Sequence, residues 1–117
     1  MSDRDRGRAK SGPGLDNLGR FSDPSVLVLT SLAGGPKHGY ALTKDVEDFA
    51  GVALGPGTLY GALSRLEDRG LIEALPADDR RHPYRITGVG LEVLKTHAES
   101  MRRVATEMQT RLRLLGA

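Results

Sequence analysis

Leu91, Leu94, Ala98, Met101, Ala105, Met108, Leu112 and Leu115 follow one another at alternating steps of three and four residues. No other feature limits the folds open to this chain as much, because only an unbroken helix brings side chains at that spacing into one line. The seam runs for about three and a half heptads, more than a small domain can cover by itself. Glu92, Lys95, Glu99, Arg102, Arg103, Glu107, Arg111 and Arg113 lie between its members, so the rest of the circumference is expected to be wet. A second copy of the same helix is the economical partner; packing back onto the chain's own domain is the competing arrangement. Ala98 and Ala105 allow close approach, and Met101 and Met108 make the contact adaptable. Thr87, just upstream, is the expected N-cap.

A shorter helix is bracketed by Pro56 and Gly70. Proline suits a first turn, where its missing N–H would have no partner, and glycine supplies the left-handed conformation that ends many helices. Leu59, Ala62, Leu63 and Leu66 form its apolar stripe. At 100° per residue the opposite side carries Gly57, Gly61, Ser64, Arg65 and Asp68, with Thr58 and Tyr60 on the flanks. Small side chains there let a backbone or a groove approach closely. Gly61 costs about 1 kcal/mol relative to alanine inside a helix, so either it is merely tolerated or the close approach is used.

The segments before and after this helix complete a pattern. Asp23-Pro24 opens a first helix, with Ser22 or Asp23 as cap and Val26, Leu27, Leu29, Thr30 and Leu32 expected in the core; Gly34-Gly35-Pro36 ends it. A second helix is predicted over residues 39–49, with Tyr40, Leu42, Val46 and Phe49 inward and Lys44, Asp45, Glu47 and Asp48 in solvent. Residues 51–55 then turn into the Pro56 helix, which outlines a helix-turn-helix. Residues 71–75 and 83–86 read as strands around a polar turn at 76–82, a hairpin placed like the wing of a winged helix-turn-helix. Pro83 cannot donate to a ladder, so it belongs at the strand start or on an open edge. The predicted fold is mainly α with a small β-hairpin. It comprises an arm at residues 1–20, a winged helix-turn-helix at 21–87 and a long dimerisation helix at 88–117.

Composition narrows the function. The 117 residues include no cysteine, which excludes disulfides and thiolate chemistry. His38, His82 and His97 fall on different predicted elements, so no metal or cofactor site is expected. No nucleophile, base and orienting acid cluster, and Gly55-Pro56-Gly57 lacks the lysine of a phosphate-binding loop, so an enzyme is not expected. No apolar run reaches membrane-spanning length and the N-terminus is charged, which predicts a soluble, cytoplasmic protein without membrane partners. The net charge is only +2, and no segment is a polycationic block. Any binding of phosphate must therefore rest on a local face. Arg4, Arg6, Arg8 and Lys10 of the arm alternate with Asp3 and Asp5, which favours a solvated tail over a backbone contact.

Three pieces in order, Gly35-Pro36-Lys37-His38-Gly39-Tyr40, then Pro56-Gly57-Thr58-Leu59-Tyr60 through Gly70-Leu71-Ile72, then Arg80-Arg81 and Tyr84-Arg85-Ile86-Thr87, resemble the PadR family of transcriptional regulators. The resemblance covers residues 24–97. It implies a winged helix-turn-helix dimer that represses transcription from palindromic operators in double-stranded DNA, and a homodimer built on the C-terminal helix of the short-tailed branch. It also implies release by a small-molecule effector, for which no ligand can be named. Gly61 stands where the family commonly has proline, Ala41 where an acidic or polar residue is frequent, and Asp78, Asp79 and Pro83 make the wing less basic.

Roles follow for single residues. Arg65 is the candidate to read a guanine edge, unless it pairs with Asp68 or Glu67. Thr58 and Tyr60 carry hydroxyls at the helix start suited to phosphates, although the Tyr60 ring could equally lie under the wing. Gly57, Gly61 and Ser64 supply the close face. Lys44, Arg80, Arg81 and His82 are phosphate candidates or parts of a solvated surface. Tyr40 is expected in the core and His38 in a turn. The competing function is a winged-helix protein-interaction module without an operator.

Overall fold

A computed structural model describes residues 23–77 and 79–117. The arm expected at residues 1–20, Ser22 and Asp78 lie outside the described residues. Helix α1 (Pro24–Ala33) starts where Asp23 Oδ1 accepts the Ser25 N–H at 2.8 Å. Helix α2 (Gly39–Ala50) ends on Gly51 in the left-handed region, φ 69°, whose N–H donates to the Glu47 carbonyl. Helix α3 (Pro56–Asp68) has proline in its first turn. It closes through Gly70 at φ 74°, which lets the Leu71 N–H donate back to the Leu66 carbonyl at 3.0 Å.

Strands β1 (Ile72–Ala74) and β2 (Tyr84–Ile86) pair antiparallel, Ile72 opposite Ile86, Glu73 opposite Arg85 and Ala74 opposite Tyr84. Glu73 and Arg85 form an ion pair across the hairpin. Pro83 immediately precedes β2, as its missing donor requires. Lys37, in the turn after α1, exchanges both backbone hydrogen bonds with Tyr84 (3.1 and 2.9 Å). The wing is thereby tied to the entrance of α2, a pairing that local sequence does not announce.

The core is aliphatic: Val28, Leu29 and Leu32 of α1, Leu42 and Val46 of α2, Leu54, the α3 stripe Leu59, Ala62, Leu63 and Leu66, and Ile72. Ser31 is buried among them, and its hydroxyl donates to Asp45 Oδ2 at 2.7 Å. Lys37 Nζ caps the Ser31 carbonyl at 2.5 Å and stands 3.8 Å from the same carboxylate. A buried hydroxyl needs such a partner.

Four expectations for α1 and α2 are corrected. Val28, not Thr30, is a core residue; Thr30 faces out and its hydroxyl donates to the Val26 carbonyl at 2.7 Å. Tyr40 is 72% exposed because it sits two residues, about 200° around the helix, from inward-facing Leu42. Phe49 shares the Leu42–Val46 stripe but lies one turn beyond it, where the helix has left the core, and is exposed. Asp45, expected in solvent, turns inward to Ser31.

Helix α4 (Gly88–Leu114) is capped by Thr87, whose Oγ1 accepts the Gly90 N–H at 3.1 Å. Gly90 is its one buried residue among those described, and Leu94 packs half-buried on the core. Beyond that turn the helix leaves the domain, with a length of about 40 Å for its 27 residues.

Candidate nucleic-acid interface

Helix α3 stands on its apolar stripe, which directs its other side outward. Gly57, Thr58, Tyr60, Ser64 and Arg65 are exposed and Gly61 is half-exposed. A Cβ at position 57 would meet open space, and one at 61 would make only an ordinary contact with Arg65 Nη1 at 3.5 Å. Among the described residues no contact requires either glycine, so the packing of residues 23–77 and 79–117 does not account for the bareness of this face. The Arg65 guanidinium folds back over Gly61 and, among the described residues, forms no ion pair with Glu67 or Asp68.

Two grooves flank the helix. The larger, about 960 Å³, lies between the start of α2, Tyr60 and the wing. Tyr40, Lys44, Asp45 and Asp48 line it from α2, and Arg80, Arg81 and His82 from the hairpin loop. The Tyr60 ring is 57% exposed and not covered by the wing; its hydroxyl lies across Gly39, where a Cβ would come within 3.0 Å of it. Arg81 Nη1 is 3.3 Å from His38 Nε2, which draws the wing loop to the N-terminus of α2. The His38 side chain makes no capping bond to the first turn of α2. Tyr84 closes the floor, and burial, reinforced by the charges of Glu67 and Tyr60, raises its phenol pKa.

The smaller groove, about 660 Å³, lies between α3 and the start of α1. Gly57, Thr58, Gly61, Arg65 and Arg69 line it, opposite Asp23 and Ser25. The predicted site residues thus divide: Tyr60, Lys44, Arg80, Arg81 and His82 gather on the wing side, and Gly57, Thr58, Gly61 and Arg65 on the α1 side. Ser64 is exposed and lines neither groove. Tyr40, expected in the core, lines the wing-side groove beside these candidates. Its position opposite Leu42 on the helical wheel was the available signal.

The heptad residues are placed on one side of α4. Leu91, Met101, Met108, Leu112 and Leu115 are exposed, as are Ala98 and Ala105, whereas Leu94 reaches the core. The expectation of a wet remaining circumference is corrected by Val89, Val93 and Val104, also exposed. An α-helix advances slightly more slowly than a strict 3.5-residue repeat, so the apolar sector drifts and these valines widen it. Among the described residues no three His, Cys, Asp or Glu side chains group to hold a metal ion, and no helix is long and apolar enough to cross a membrane.

Among the described residues, four helices with a two-stranded hairpin after the third, and an exposed third helix between hairpin and first helix, define a winged helix-turn-helix protein. Residues 28–96 match the transcriptional regulator PadR-like family, and the chain belongs to that family. The family is one of transcriptional regulators, not enzymes. The chain is 45% identical over 86 residues to an uncharacterized 37.1 kDa protein in transposon TN4556 of Streptomyces fradiae, covering 74% of this chain and 25% of that protein. It is 36% identical over 75 residues to the transcriptional activator GvpE2 of Halobacterium salinarum, covering 64% of this chain and 38% of the activator. It therefore spans well under half the length of either curated relative. A PadR family transcription regulator from Clostridium difficile superposes with a TM-score of 0.69 at 26% identity, over 76% of this chain and 97% of that one. A transcriptional regulator from Clostridium thermocellum does so with a TM-score of 0.67 at 27% identity, over 74% and 87%.

Proposed function

We propose that this chain is a dimeric, sequence-specific DNA-binding repressor. In this reading residues 21–87 read a palindromic operator and residues 88–117 pair two copies. The observation that carries it is the α3 ridge: two glycines that no contact among the described residues requires, standing between two grooves that hold Arg65 and Arg69 on one side and Lys44, Arg80 and Arg81 on the other. A major groove about 12 Å wide admits one helix, and its two phosphate strands run along either side of that helix. The ridge and its flanking cations match that arrangement. Arg65 reads a base edge, Gly57, Gly61 and Ser64 allow approach, and Thr58, Tyr60, Tyr40, Lys44, Arg80, Arg81 and His82 hold the backbone.

Release by a small-molecule effector enters through the family resemblance alone. Activation in place of repression is the second reading, favoured by the name of the Halobacterium relative.

The test is an electrophoretic shift with duplexes from the region upstream of the protein's own gene, at physiological salt, against shuffled duplexes of equal length. Saturable binding to the former alone is expected. Equal binding to both, or none, moves the assignment to a protein-interaction module. Replacing Arg80 and Arg81 together by alanine should weaken all duplexes alike and flatten the dependence of log affinity on log salt by about two phosphate contacts, each worth a slope of about 0.9. An unchanged slope would remove the wing from the interface.

A further inference from the structure

The recognition helix and the pairing helix meet at one small junction. Thr87 Oγ1 donates to the Gly70 carbonyl at 2.7 Å while accepting the Gly90 N–H, and the Thr87 N–H donates to the Leu71 carbonyl at 3.0 Å. Leu71 is itself bonded back to Leu66 in the last turn of α3. The first turn of α4 is pressed so closely on this segment that a Cβ at position 90 would overlap the Leu71 carbonyl oxygen and stand 2.8 Å from Ile86 Cγ1. Leu71 O is a backbone atom in a hydrogen-bonded turn and cannot swing aside. Position 90 must therefore be glycine for α4 to leave the domain at this angle.

We infer that the contact of Gly90 and Thr87 with Gly70 and Leu71 sets the distance between the two recognition helices of the dimer, and so selects operator half-site spacing. The inference rests on the dimeric repressor reading. Relieving the overlap needs a displacement of about 1 Å, which at three residues or about 4.5 Å from Thr87 tilts α4 by roughly 13°. At the midpoint of α4, near Met101 and about 20 Å from the pivot, that tilt moves the seam by about 4.5 Å. That exceeds one base-pair step along B-DNA, about 3.4 Å. Gly90 and Thr87 are thus positioning residues: they touch no DNA, yet they decide which spacing two reading heads can engage at once.

The experiment uses the full chain. A palindrome enriched by the wild-type protein from a randomised duplex library is rebuilt with its centre shortened or lengthened by one and two base pairs, and a single half-site duplex serves as reference. Sedimentation follows the oligomeric state of each protein. Wild type should sediment as a dimer and prefer one spacing sharply. A monomer overturns the dimer reading and this inference with it; a dimer indifferent to spacing overturns this inference alone. Gly90→Ala should remain a dimer and keep its half-site affinity, while its optimum spacing moves by a base pair and its affinity for the original palindrome falls about a hundredfold, the avidity lost when both heads cannot engage. A dimeric Gly90→Ala with the original optimum overturns the inference alone. If Gly90→Ala does not fold, Thr87→Val decides. It keeps the backbone bond to Leu71 but loses both hydroxyl bonds, and should broaden the tolerated spacings; an unchanged sharp optimum overturns the inference.

Discussion

Helices α3 and α4 carry the same kind of apolar periodicity and meet different fates. The α3 stripe of Leu59, Ala62, Leu63 and Leu66 is wholly buried by α1 and its neighbours, whereas the α4 seam is open from Met101 onward, with Met108 57% exposed. Periodicity says that a face needs covering, but not what covers it. The α3 face is covered within the chain because the short turns at residues 34–38 and 51–55 fold three helices against one another before the stripe ends. The α4 face outruns the domain after Leu94 and, among the described residues, has nothing to cover it. The outer sides differ too. That of α3 carries two glycines, a serine, a single arginine and the terminal Asp68, while that of α4 is laced with ordinary i,i+3 and i,i+4 pairs such as Lys95 with Glu92 and Arg111 with Glu107, each worth about 0.2–0.5 kcal/mol.

The contrast breaks most plainly at Leu63. Leu63→Ala should destabilise the domain by about 2–5 kcal/mol at any protein concentration, as read from urea unfolding; a loss below about 1 kcal/mol would mean that the stripe is not the core it resembles. Next comes Met108→Glu, which should leave the protomer folded by circular dichroism but convert dimer to monomer in sedimentation. It should also weaken palindrome binding by about a hundredfold. If the dimer survives, the seam has another occupant. Arg65→Ala sharpens the difference between the outer sides, since it should cost about 1–3 kcal/mol on the selected duplex and much less on random DNA. Equal losses on both would make Arg65 a phosphate contact.

The smallest effect lies in the hairpin that joins the two helices. Burial first, then the charges of Glu67 and Tyr60, raise the Tyr84 pKa, so the folded state holds its neutral phenol. The stabilisation is complete below the ordinary phenol value near 10 and is lost as pH rises through the folded value. The difference between the absorbance titrations of wild type and Tyr84→Phe should be a single phenol that ionises above the ordinary value near 10. A difference centred on the ordinary value would contradict the half-buried hairpin floor.

Much of the fold was legible because its signals are local. Pro56 and Gly70 bound α3 and Thr87 caps α4 through atoms no more than a few residues away. The candidate DNA-facing set was legible for the same reason, since the side opposite an apolar stripe is a matter of angle. Tyr40 and Asp45 were misplaced because α2 has few apolar residues. A tyrosine then passes for core and an aspartate for surface until Ser31 is seen to need a partner. The bond of Lys37 to Tyr84 and the closeness of Gly90 to Leu71 had no sequence signal, as each joins segments that only folding brings together.

By itself the sequence determined where helices begin and end, which face of α3 is apolar, and that the last helix has more apolar surface than one small domain can cover. Short-range sterics and a 3.6-residue period suffice for that. The tertiary structure alone decided that Tyr40, Lys44, Tyr60 and the wing arginines share one groove, and that α4 departs at an angle held by a glycine against a carbonyl. Those are relations between segments far apart in the chain, set by how the core closes rather than by any residue's own preference.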